Sequence, residues 1–393
     1  MISNVLIVTS EPFPYGMAGT NRVISLAKGF IDQGRSAEVV TYFKYSRQIS
    51  DNKQAPAFGI YEGIKYSCLF KASGGGGGFL IKIFGGLLRP IKVFAYSIKR
   101  IDEKTLVIYY GDKTWPAISL RIVGRIKKTL IIKDETEHPL IRSAHIKGLS
   151  RYYYPWFHYR QFDALLVITN YLQKYFVNDL KYDKPVQIVP MIVDLDRFPL
   201  RDTGVGNSIV FSGEIDDKKE GITALITAFS RISSRYPELK LDLYGSAINA
   251  KETQRLHNLI KDLSLEGKVF VHGYRNRDEM NGILMNARMF VFTRPPSLQA
   301  TYGFSTKLGE YFATGKPVVL TNVGEVGTYF TDNVNAFICT HETASITLKI
   351  AEVLDNYSYA LEVGGRGRET VSKYFNNKSE AGKILSTCES LQL

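Results

Sequence analysis

The sequence predicts an α/β protein built from two Rossmann-like domains, each a doubly wound parallel sheet. The chain has 393 residues, more than a single domain usually holds. Short apolar runs rich in Val, Ile and Leu alternate with segments whose apolar residues recur at helical spacing, in both halves of the chain. Such alternation of buried strand and helix is typical of parallel sheets covered on both faces.

The composition excludes several classes of protein. A hydrophobic content of 45% is ordinary for a globular protein. Cys68, Cys339 and Cys388 are far apart and form no Cys-x-x-Cys pair, so neither a disulfide framework nor a zinc site is expected. Residues 1–13 lack the basic region and the long apolar core of a signal peptide, and no long window is apolar enough to span a bilayer. We therefore expect a cytoplasmic protein.

The net charge of +12 comes entirely from the first half of the chain. Residues 1–200 contain 28 Lys and Arg against 16 Asp and Glu, whereas the remaining residues contain 22 of each. This asymmetry is typical of a domain that binds an anionic surface or substrate. Because no zinc-finger, RRM or KH pattern accompanies the charge, an anionic membrane is favoured and nucleic acid is not expected as a partner.

The chain begins with a βαβ unit. Residues 5–9 form an apolar, β-branched run that predicts a buried strand, and Gly19 lies in the loop after it. Thr20 or Asn21 is suited to cap the next helix, and residues 37–41 predict the second strand. The unit lacks G-x-G-x-x-G, which argues against NAD. A glycine at position 19 either allows a ligand to approach the loop closely or only allows the chain to turn.

A very apolar segment at 79–101 follows a predicted strand or hairpin at 58–71 and five consecutive glycines at 74–78, which predict a flexible loop. Pro90 is expected to kink this segment. Basic side chains interrupt it at Lys82, Arg89 and Lys92. It is either a basic amphipathic segment that binds a membrane surface or a helix packed on the sheet with its basic side outward. The charge excess of this half favours the membrane.

Residues 151–162 are a second candidate for membrane contact. They combine several aromatic rings, among them Trp156, with arginines. Rings at the level of the headgroups and arginines paired with phosphates would explain the mixture. A Tyr-rich helix packed onto the sheet is the alternative.

A strand predicted at 130–133 leads into a polar sequence that ends in His138, with Asp134, Glu135 and Glu137 beside it. Open α/β sheets bind ligands at the carboxyl ends of their strands. An imidazole at this edge could form a hydrogen bond with a ligand hydroxyl or transfer a proton near neutral pH. A structural role for a lone histidine remains the alternative.

A second series of strands and helices begins at residues 207–212. Further strands are predicted at 239–245, 269–273 and 289–292. Lys218 and Lys219 follow the first strand, and Lys219 comes just before a helix, where a compact cation suits a phosphate. An exposed turn lysine is the alternative. Arg294 follows the last of these strands, where its guanidinium could also bind a phosphate.

The segment 292–328 contains the most specific pattern in the chain. A loop rich in Pro, Ser and Gly leads to a helix that is expected to start near Ser305 and to end at Gly315. The next strand begins at Val318. The N-terminus of such a helix offers N–H groups and a partial positive charge to a phosphate. Glu310, further along this helix, is either an acceptor for paired sugar hydroxyls or a solvated carboxylate.

This segment resembles the nucleotide-sugar-binding region of the retaining, GT-B-fold glycosyltransferases of family 4, the group 1 glycosyltransferases. That family carries Glu-x7-Glu followed by Ala-x-Gly-x-Pro-Val-Val. Glu310 matches the second Glu, and residues 313–319 read Ala-Thr-Gly-Lys-Pro-Val-Val. Tyr302 stands where the first Glu is expected, and Glu214 stands where an arginine for the diphosphate is expected.

The resemblance implies the GT-B architecture, in which two Rossmann-like domains face each other across a cleft. It implies an acceptor domain at 1–190, a donor domain at 191–370 and a last helix at 371–393 that packs back on the first domain. It places residues 194–196, with sequence Asp-Leu-Asp, in a connector rather than in a metal site. No cofactor is implied beyond the substrate, a UDP-sugar or GDP-sugar.

The resemblance also gives the candidate site residues. The catalytic positions are His138 and Tyr302. The donor-binding candidates are Gly19, Lys218, Lys219, Arg294, Gly303, Phe304, Ser305, Lys307 and Glu310. The membrane-binding candidates are Lys82, Arg89, Lys92 and Trp156.

The implied function is transfer of a sugar, with retention of configuration, from a nucleotide sugar to a lipid-linked or polysaccharide acceptor on the inner face of the cell membrane. A UDP-sugar is the favoured donor. The departures at Tyr302 and Glu214 leave two further hypotheses open. One is a scaffold that binds nucleotide sugar without turnover in a polysaccharide-assembly complex, and the other is a sugar-nucleotide epimerase of the same fold.

Overall fold

A computed structural model describes residues 1–45, 56–71, 79–143, 148, 150–200, 204 and 206–392. The side chains of residues 43–45, 71, 79–88 and 152 are not part of this description, and the run of glycines at 74–78 lies outside it. The chain divides into two compact units. The first comprises Met1–Asp194 together with Asn377–Leu393, and the second comprises Leu195–Asn376.

The described strands of the first unit form one sheet. They are β1 (Asn4–Thr9), β2 (Ser36–Tyr45), β3 (Phe58–Tyr61), β4 (Ile64–Lys71), β5 (Thr105–Tyr110), β6 (Ile131–Glu135), β7 (Ala164–Val167) and β8 (Val186–Ile188). The order is β3-β4-β2-β1-β5-β6-β7-β8, and every neighbouring pair is parallel except the hairpin of β3 and β4. This hairpin confirms the prediction at 58–71.

The helices of the first unit alternate with these strands. They are α1 (Ala18–Asp32), α2 (Phe79–Arg100), α3 (Thr114–Lys127), α4 (Pro139–Arg142), α5 (Ser150–Tyr159) and α6 (Asn170–Lys174), which continues as a π-turn at Tyr175–Asp179. The last helix of the chain, Asn377–Gln392, also belongs to this unit.

The second unit contains a six-stranded parallel sheet. Its strands are β9 (Ser208–Ser212), β10 (Lys240–Tyr244), β11 (Val269–Gly273), β12 (Met289–Phe292), β13 (Val318–Thr321) and β14 (Phe337–Cys339), in the order β11-β10-β9-β12-β13-β14. Its helices are α7 (Asp217–Glu220), α8 (Ile222–Ile232), α9 (Ala250–Asp262), α10 (Arg277–Met285), α11 (Leu298–Tyr302), α12 (Thr306–Ala313), α13 (Val326–Tyr329), α14 (Thr343–Asp355) and α15 (Tyr357–Tyr374). The helix at Asn377–Gln392 is therefore α16.

Two Rossmann-like parallel sheets confirm the predicted α/β fold class. In the first unit, apolar residues of α1 and α16 pack against one face of the sheet in a single core. In the second unit, α8, α9 and α14 cover one face, and α12 covers the other, where Tyr311 stacks on Phe290 at 4.3 Å between ring centroids. The central strands of both sheets are thus buried, as their apolar sequences require.

The first helix begins earlier than the sequence predicts. Neither Thr20 nor Asn21 caps it, because the N-cap position is Met17 and the helix starts at Ala18. The Thr20 hydroxyl instead donates to the carbonyl of Pro12 at 2.7 Å and so holds the preceding loop against the helix. Gly19 consequently lies in the first turn of α1 and not in the loop.

A buried arginine connects the elements of the first unit. Arg22 of α1 donates to both carboxylate oxygens of Asp134 in β6, at 2.8 and 2.9 Å. It also donates to the carbonyls of Pro190 and Val189, at 2.8 and 3.0 Å. Arg22 and Asp134 are both about 1% exposed, so neither charge has water as an alternative partner.

Close approach of two loops explains two glycines in the second unit. Gly213, after β9, and Gly245, after β10, have φ values of +146° and +141°. A Cβ on Gly245 would collide with the Gly213 carbonyl, and a Cβ on Gly213 would collide with the ammonium of Lys307. The carboxyl ends of β9 and β10 can therefore approach each other and Lys307 only because both residues lack a side chain.

We expect Arg22→Ala to destabilise the first unit by about 3–5 kcal/mol, because it leaves the Asp134 carboxylate buried without a counter-charge. Urea unfolding followed by tryptophan fluorescence measures this directly, since both tryptophans, Trp115 and Trp156, lie in the first unit. The matched control is Arg100→Ala, which removes an exposed partner of Glu38 at 3.8 Å and should cost less than about 1 kcal/mol. Equal losses in the two variants would contradict a structural role for the buried pair.

Candidate functional site

In the first unit, His138 lies at the carboxyl edge of the sheet, as predicted. It is the N-cap of α4, and its Nδ1 accepts a hydrogen bond from the backbone N–H of Leu140 at 3.2 Å. Its ring packs against Tyr175 at 4.3 Å between centroids. Burial lowers the pKa of His138, although the carboxylates of Asp179 and Glu135 oppose this in part. The imidazole is therefore neutral at pH 7, with Nδ1 already engaged in the cap.

The carboxylates beside His138 are engaged in structural ion pairs. Asp134 pairs with Arg22, as described above. Glu135 is fully buried and lies 3.1 Å from the ammonium of Lys133 and 2.5 Å from Nε of Arg142. Burial alone would raise the pKa of Glu135, but Arg142 and Lys133 outweigh it and lower that pKa to about 2. Both acids are thus engaged in ion pairs that hold the fold of this edge.

Gly19 leaves room for a neighbouring acid. A Cβ on Gly19 would lie 2.5 Å from Cδ of Glu11, in the loop after β1. The structure thus gives Gly19 a packing reason, the close approach of the Glu11 side chain, whether or not a ligand also approaches it.

The helices α2, α3 and α5 present mixed apolar and basic surfaces. Arg89 and Lys92 lie over the ring of Phe70, at 5.9 and 5.5 Å from its centroid, while Val93 and Ser97 of the same helix are buried. The helix continues through Pro90. The described part of α2 thus packs on the unit with its basic residues outward, an arrangement that fits both predictions for this segment. The Lys82 side chain lies outside the described residues.

Exposed apolar side chains are concentrated on α3 and α5. On α3, Ile118, Ile122 and Ile126 recur every four residues and are all exposed. On α5, Trp156 is 52% exposed with Arg160 over its ring at 4.8 Å. The two helices adjoin, because Nδ1 of His158 lies 3.2 Å from the Thr114 hydroxyl. Other exposed residues here are Ile91, Tyr153 and Phe157. We call these exposed residues, with Lys92, the apolar-basic surface.

No helix within the described residues is both long enough and apolar enough to cross a bilayer. The described residues likewise contain no group of three or more His, Cys, Asp and Glu side chains arranged to hold a metal ion. Asp194, part of the Asp-Leu-Asp sequence, lies 2.5 Å from the ammonium of Lys28.

In the second unit, a buried carboxylate brings two cations together at the carboxyl edge of the sheet. Glu220, the last residue of α7, is 1% exposed. Its Oε1 lies 3.0 Å from Nη2 of Arg294, and its Oε2 lies 2.8 Å from Nζ of Lys307. Arg294 follows β12 and Lys307 lies in the first turn of α12, so three separate segments meet here. We call these three residues the Glu220 cluster.

The backbone around this cluster is fixed by buried threonines. The Thr293 hydroxyl lies 3.0 Å from each of the carbonyls of Glu220 and Gly221, which identifies it as a donor shared between them. The Thr321 hydroxyl donates to the carbonyl of Arg294 at 2.7 Å. Gly221 has φ +67°, and a Cβ there would collide with the carbonyl of Thr293. The end of α7 is thereby held against the end of β12.

The cluster is apolar in its surroundings and positive in its net charge. Nζ of Lys307 lies over the rings of Phe211 and Phe292, at 4.6 and 5.8 Å from their centroids. Burial lowers the pKa of Lys307 to about 8, assisted by Arg294 and Lys219 and opposed by Glu220. Although burial favours the protonated acid, Lys307 and Arg294 outweigh it and lower the pKa of Glu220.

Glu310 lies in the same helix, α12, and has a partner that the sequence analysis did not foresee. Nη1 of Arg197 donates to Oε1 of Glu310 at 2.6 Å. Arg197 also donates to the side chain of Asn281 at 2.7 Å and to the carbonyl of Arg277 at 3.2 Å. The Glu310 carboxylate is thus held in an ion pair with Arg197 and is not simply solvated.

The residues between β12 and α12 do not form one continuous loop. Residues Leu298–Tyr302 form the helix α11, so Tyr302 ends a helix. The N–H of Gly303 donates to the carbonyl of Gln299 at 3.0 Å, which takes that amide away from a phosphate in this conformation. Phe304 is buried and stacks on Tyr329 at 5.7 Å between centroids. Ser305 is buried at the N-cap of α12, where its side chain caps no N–H.

The two adjacent lysines of α7 differ from the Glu220 cluster. Lys218 is exposed. Lys219 is partly exposed and lies 3.4 Å from Glu214, the residue at the position where an arginine was expected. The structure therefore brings together Arg294, Lys307, Glu310 and Ser305 along the start of α12, with Lys219 nearby and Lys218 directed to solvent.

Residues 194–370 match the family model described as Glycosyl transferases group 1. The second unit is a group 1 glycosyltransferase domain. This confirms the resemblance that the residues of α12 and β13 indicated. Within this glycosyltransferase domain, Glu220 and Arg197 are two charged residues of the candidate site that sequence analysis missed. Glu220 follows two lysines in a short charged run and Arg197 stands in a connector, so both resemble exposed residues in the sequence.

Solved glycosyltransferase structures match almost the whole chain. Sucrose-phosphate synthase from Thermosynechococcus elongatus is 16% identical, with a TM-score of 0.76, and the match covers 99% of each chain. HepE from Anabaena, solved in complex with UDP, is 16% identical with a TM-score of 0.72, covering 98% of this chain and 100% of that one. At such identities the similarity establishes the fold, which is of the GT-B type.

A third solved structure contains two further ligands besides UDP. A mutant of TarM from S. aureus, solved with fondaparinux, α-GlcNAc-glycerol and UDP, is 13% identical with a TM-score of 0.70, and the match covers 98% of this chain and 99% of that one. No curated protein matches the sequence of this glycosyltransferase-like chain significantly.

Proposed function

We propose that the protein transfers a sugar from a nucleotide-sugar donor, with a UDP-sugar favoured, to a lipid-linked or polysaccharide acceptor at a membrane surface. The observation that carries this proposal is the Glu220 cluster in a group 1 glycosyltransferase domain. The buried Arg294 and the largely buried Lys307, beside the start of α12, fit a diphosphate, because the site offers positive charge with little water to screen it.

The chemistry of sugar transfer requires such a site. When the bond between the sugar and the diphosphate breaks, negative charge grows on the departing phosphate oxygens. Lys307 and Arg294 would stabilise this charge more strongly in the transition state than in the bound donor, which is what accelerates a reaction. These side chains supply the positive charge, so the proposal requires no metal ion for this step.

Glu310 would bind the ribose of the donor. Its carboxylate accepts from Arg197 through one oxygen, and this ion pair holds it in position on α12. A carboxylate has two oxygens and about four acceptor directions, so one fixed oxygen leaves capacity for ribose hydroxyls. Arg197 would then position Glu310 without contacting the donor.

The choice of UDP rests on the structural relatives. HepE was solved with UDP and also with UDP-glucose, and TarM was solved with UDP. Retention of anomeric configuration is proposed from the resemblance to family 4, and His138 is the candidate to contact the reacting sugar. With its proton on Nε2 and a lowered pKa, neutral His138 would donate a hydrogen bond to a sugar hydroxyl.

The first unit would bring the protein to its acceptor. The apolar-basic surface combines isoleucines and aromatic rings with arginines and lysines, and the first half of the chain carries the whole net positive charge. This combination suits the headgroup region of a membrane that contains anionic lipid. A peripheral position on the inner face of the cell membrane follows as part of the proposal.

A second candidate function is a scaffold that binds nucleotide sugar without transferring it. Tyr302 replaces the glutamate that contacts the donor sugar in family 4, and Glu214 replaces the arginine and pairs with Lys219. A sugar-nucleotide epimerase of the same fold is a third. Incubation with a radiolabelled donor separates the three, since only the transferase releases free nucleotide with a labelled glycoside or, by slow hydrolysis, with free sugar.

The donor site is tested by a thermal-shift panel of UDP, GDP, ADP and their sugar conjugates on the wild type and on Glu310→Gln. A ligand at a hundred times its dissociation constant should stabilise the second unit by about 2.7 kcal/mol. We expect UDP compounds to give the largest shift and the variant to lose most of it, because an amide accepts ribose hydroxyls more weakly than a carboxylate does.

The control for that panel is Glu352→Gln, which neutralises an exposed glutamate of the same unit that pairs with Lys349 at 2.9 Å. It should keep the full shift with UDP. If no nucleotide shifts the wild type, the donor assignment is wrong.

Membrane binding is tested by sedimentation with vesicles that contain phosphatidylglycerol, at low salt. We expect the wild type to sediment and the double variant Ile122→Ser with Trp156→Ser to lose at least several-fold in bound fraction, because each residue would bury apolar area in the bilayer interface. Leu348→Ser is the control, since Leu348 is 71% exposed but lies in the second unit. If the wild type does not sediment with the vesicles, the proposal that the first unit binds a membrane is wrong.

A further inference from the structure

The Glu220 cluster poses an electrostatic problem that an anion-binding site must solve. Arg294 is 7% exposed and Lys307 lies over two phenylalanine rings, so both cations have lost most of their water. Two like charges in such surroundings raise each other's energy. A guanidinium cannot release its proton, but a lysine can, so Lys307 would be the residue to become neutral.

Glu220 opposes that outcome. Its two carboxylate oxygens are divided between the cations, with 3.0 Å to Nη2 of Arg294 and 2.8 Å to Nζ of Lys307. With one negative and two positive charges, the cluster keeps one net positive charge for a ligand. The Nε–H of Arg294 is buried and finds no hydrogen-bond acceptor among the described residues, which leaves a donor for an incoming oxyanion.

We propose that Glu220 is a positioning residue for the diphosphate of the donor, holding Arg294 and Lys307 side by side as two charged groups so that the ligand meets an intact pair of cations. This inference rests on the proposed function, because it assumes that a nucleoside diphosphate is the ligand. Glu220 itself acts through its two partners and does not contact the donor.

Among the described residues, few other charged or titratable groups lie around Lys307. Lys219, on the same short helix as Glu220, adds positive charge but is itself 3.4 Å from Glu214. His341 lies on the far side of Gly221, where a Cβ would meet its ring. On its own helix, Lys307 has Glu310 one turn away, and Glu310 is paired with Arg197. Glu220 is therefore the main source of negative charge for Lys307.

This arrangement predicts the direction in which UDP affinity should change with pH. Burial lowers the pKa of Lys307 to about 8, so the ammonium loses its proton as the pH rises through that value. UDP affinity should therefore be constant near pH 7 and decline above about pH 8. The terminal phosphate titrates near pH 6 and the uracil ring only above about pH 9, so the charge of UDP is constant between pH 7 and about 8.5 and a decline in that range belongs to the protein.

The test measures UDP affinity by calorimetry between pH 7 and about 8.5, below the titration of the uracil ring, for the wild type and Glu220→Gln. Without the carboxylate the pKa of Lys307 falls further, so the alkaline decline should move to lower pH and the affinity at pH 8 should drop roughly tenfold for each unit of that shift. Uridine has no phosphate. It should bind the wild type and Glu220→Gln equally, and its affinity should not change with pH in this range, because its base does not titrate there. A comparison of the affinities for uridine and UDP therefore isolates the contribution of the diphosphate to binding.

A second variant keeps the test decisive if Glu220→Gln does not fold. Lys307→Arg retains Glu220 and replaces the titrating ammonium with a guanidinium that stays charged, so the alkaline decline should disappear. If Glu220 and Lys307 merely stabilised the fold, either substitution would change the thermal stability of the protein but would leave the pH dependence of its UDP affinity unchanged.

The outcomes are distinguishable. If wild-type protein binds UDP with the alkaline decline and Glu220→Gln shifts it, the inference holds. If the wild type binds UDP but Glu220→Gln binds it equally or more tightly with the same pH profile, Glu220 merely repels the ligand or serves the fold, and the inference is wrong while the proposed function stands. If the wild type does not bind UDP at any pH, the proposed function fails and the inference fails with it.

Discussion

The buried carboxylate of Glu220 is the interaction on which the second unit depends. It joins the end of α7, the residue after β12 and the first turn of α12 through two ion pairs. Arg294 and Lys307 could not both remain charged among phenylalanine rings without it, because burying like charges costs several kcal/mol per ion. The position of α12, and with it that of Glu310, follows from this contact. The proposed donor site would thus use the same charges that join these three segments.

The first unit uses buried charge for a different purpose. Arg22 with Asp134, and Lys133 and Arg142 with Glu135, fix the carboxyl edge of the sheet and leave these acids with permanent partners. Glu135, whose pKa is lowered to about 2 by Arg142 and Lys133, therefore does not act as a proton donor near neutral pH. What this edge offers a ligand is the neutral imidazole of His138, itself restrained as a helix cap. Acceptor chemistry on this unit would depend on hydrogen bonding more than on acid catalysis.

Much of the fold could be predicted from periodicity, because buried parallel strands and amphipathic helices have distinct apolar patterns. The strand Met289–Phe292, the helix Thr306–Ala313 and the left-handed Gly315 after it all lie where the sequence indicated. The first helix did not, because the Thr20 hydroxyl bonds a loop carbonyl instead of capping the helix. Helix α11 was missed, since five residues at Leu298–Tyr302 carry too little periodicity to be recognised.

The charged residues of the site were predicted less well than its backbone. Glu310 was predicted as a site residue from the family motif, and Arg294 and Lys307 from their places after a strand and on the next helix. Glu220 and Arg197 were not, because a buried ion pair depends on partners 74 and 113 residues away, and local sequence contains no sign of them. Glu214 was recognised as a departure, but its pairing with Lys219 was not foreseen.

The central claim is that the second unit binds a nucleoside diphosphate through Arg294 and Lys307. A crystal structure of the protein with UDP tests it most directly. The account predicts phosphate oxygens within hydrogen-bond distance, roughly 2.7–3.2 Å, of Nζ of Lys307 and of the Arg294 guanidinium, with Glu220 still bridging the two. A diphosphate bound to Lys218 or Lys219 alone, with the Glu220 cluster closed and untouched, would contradict it.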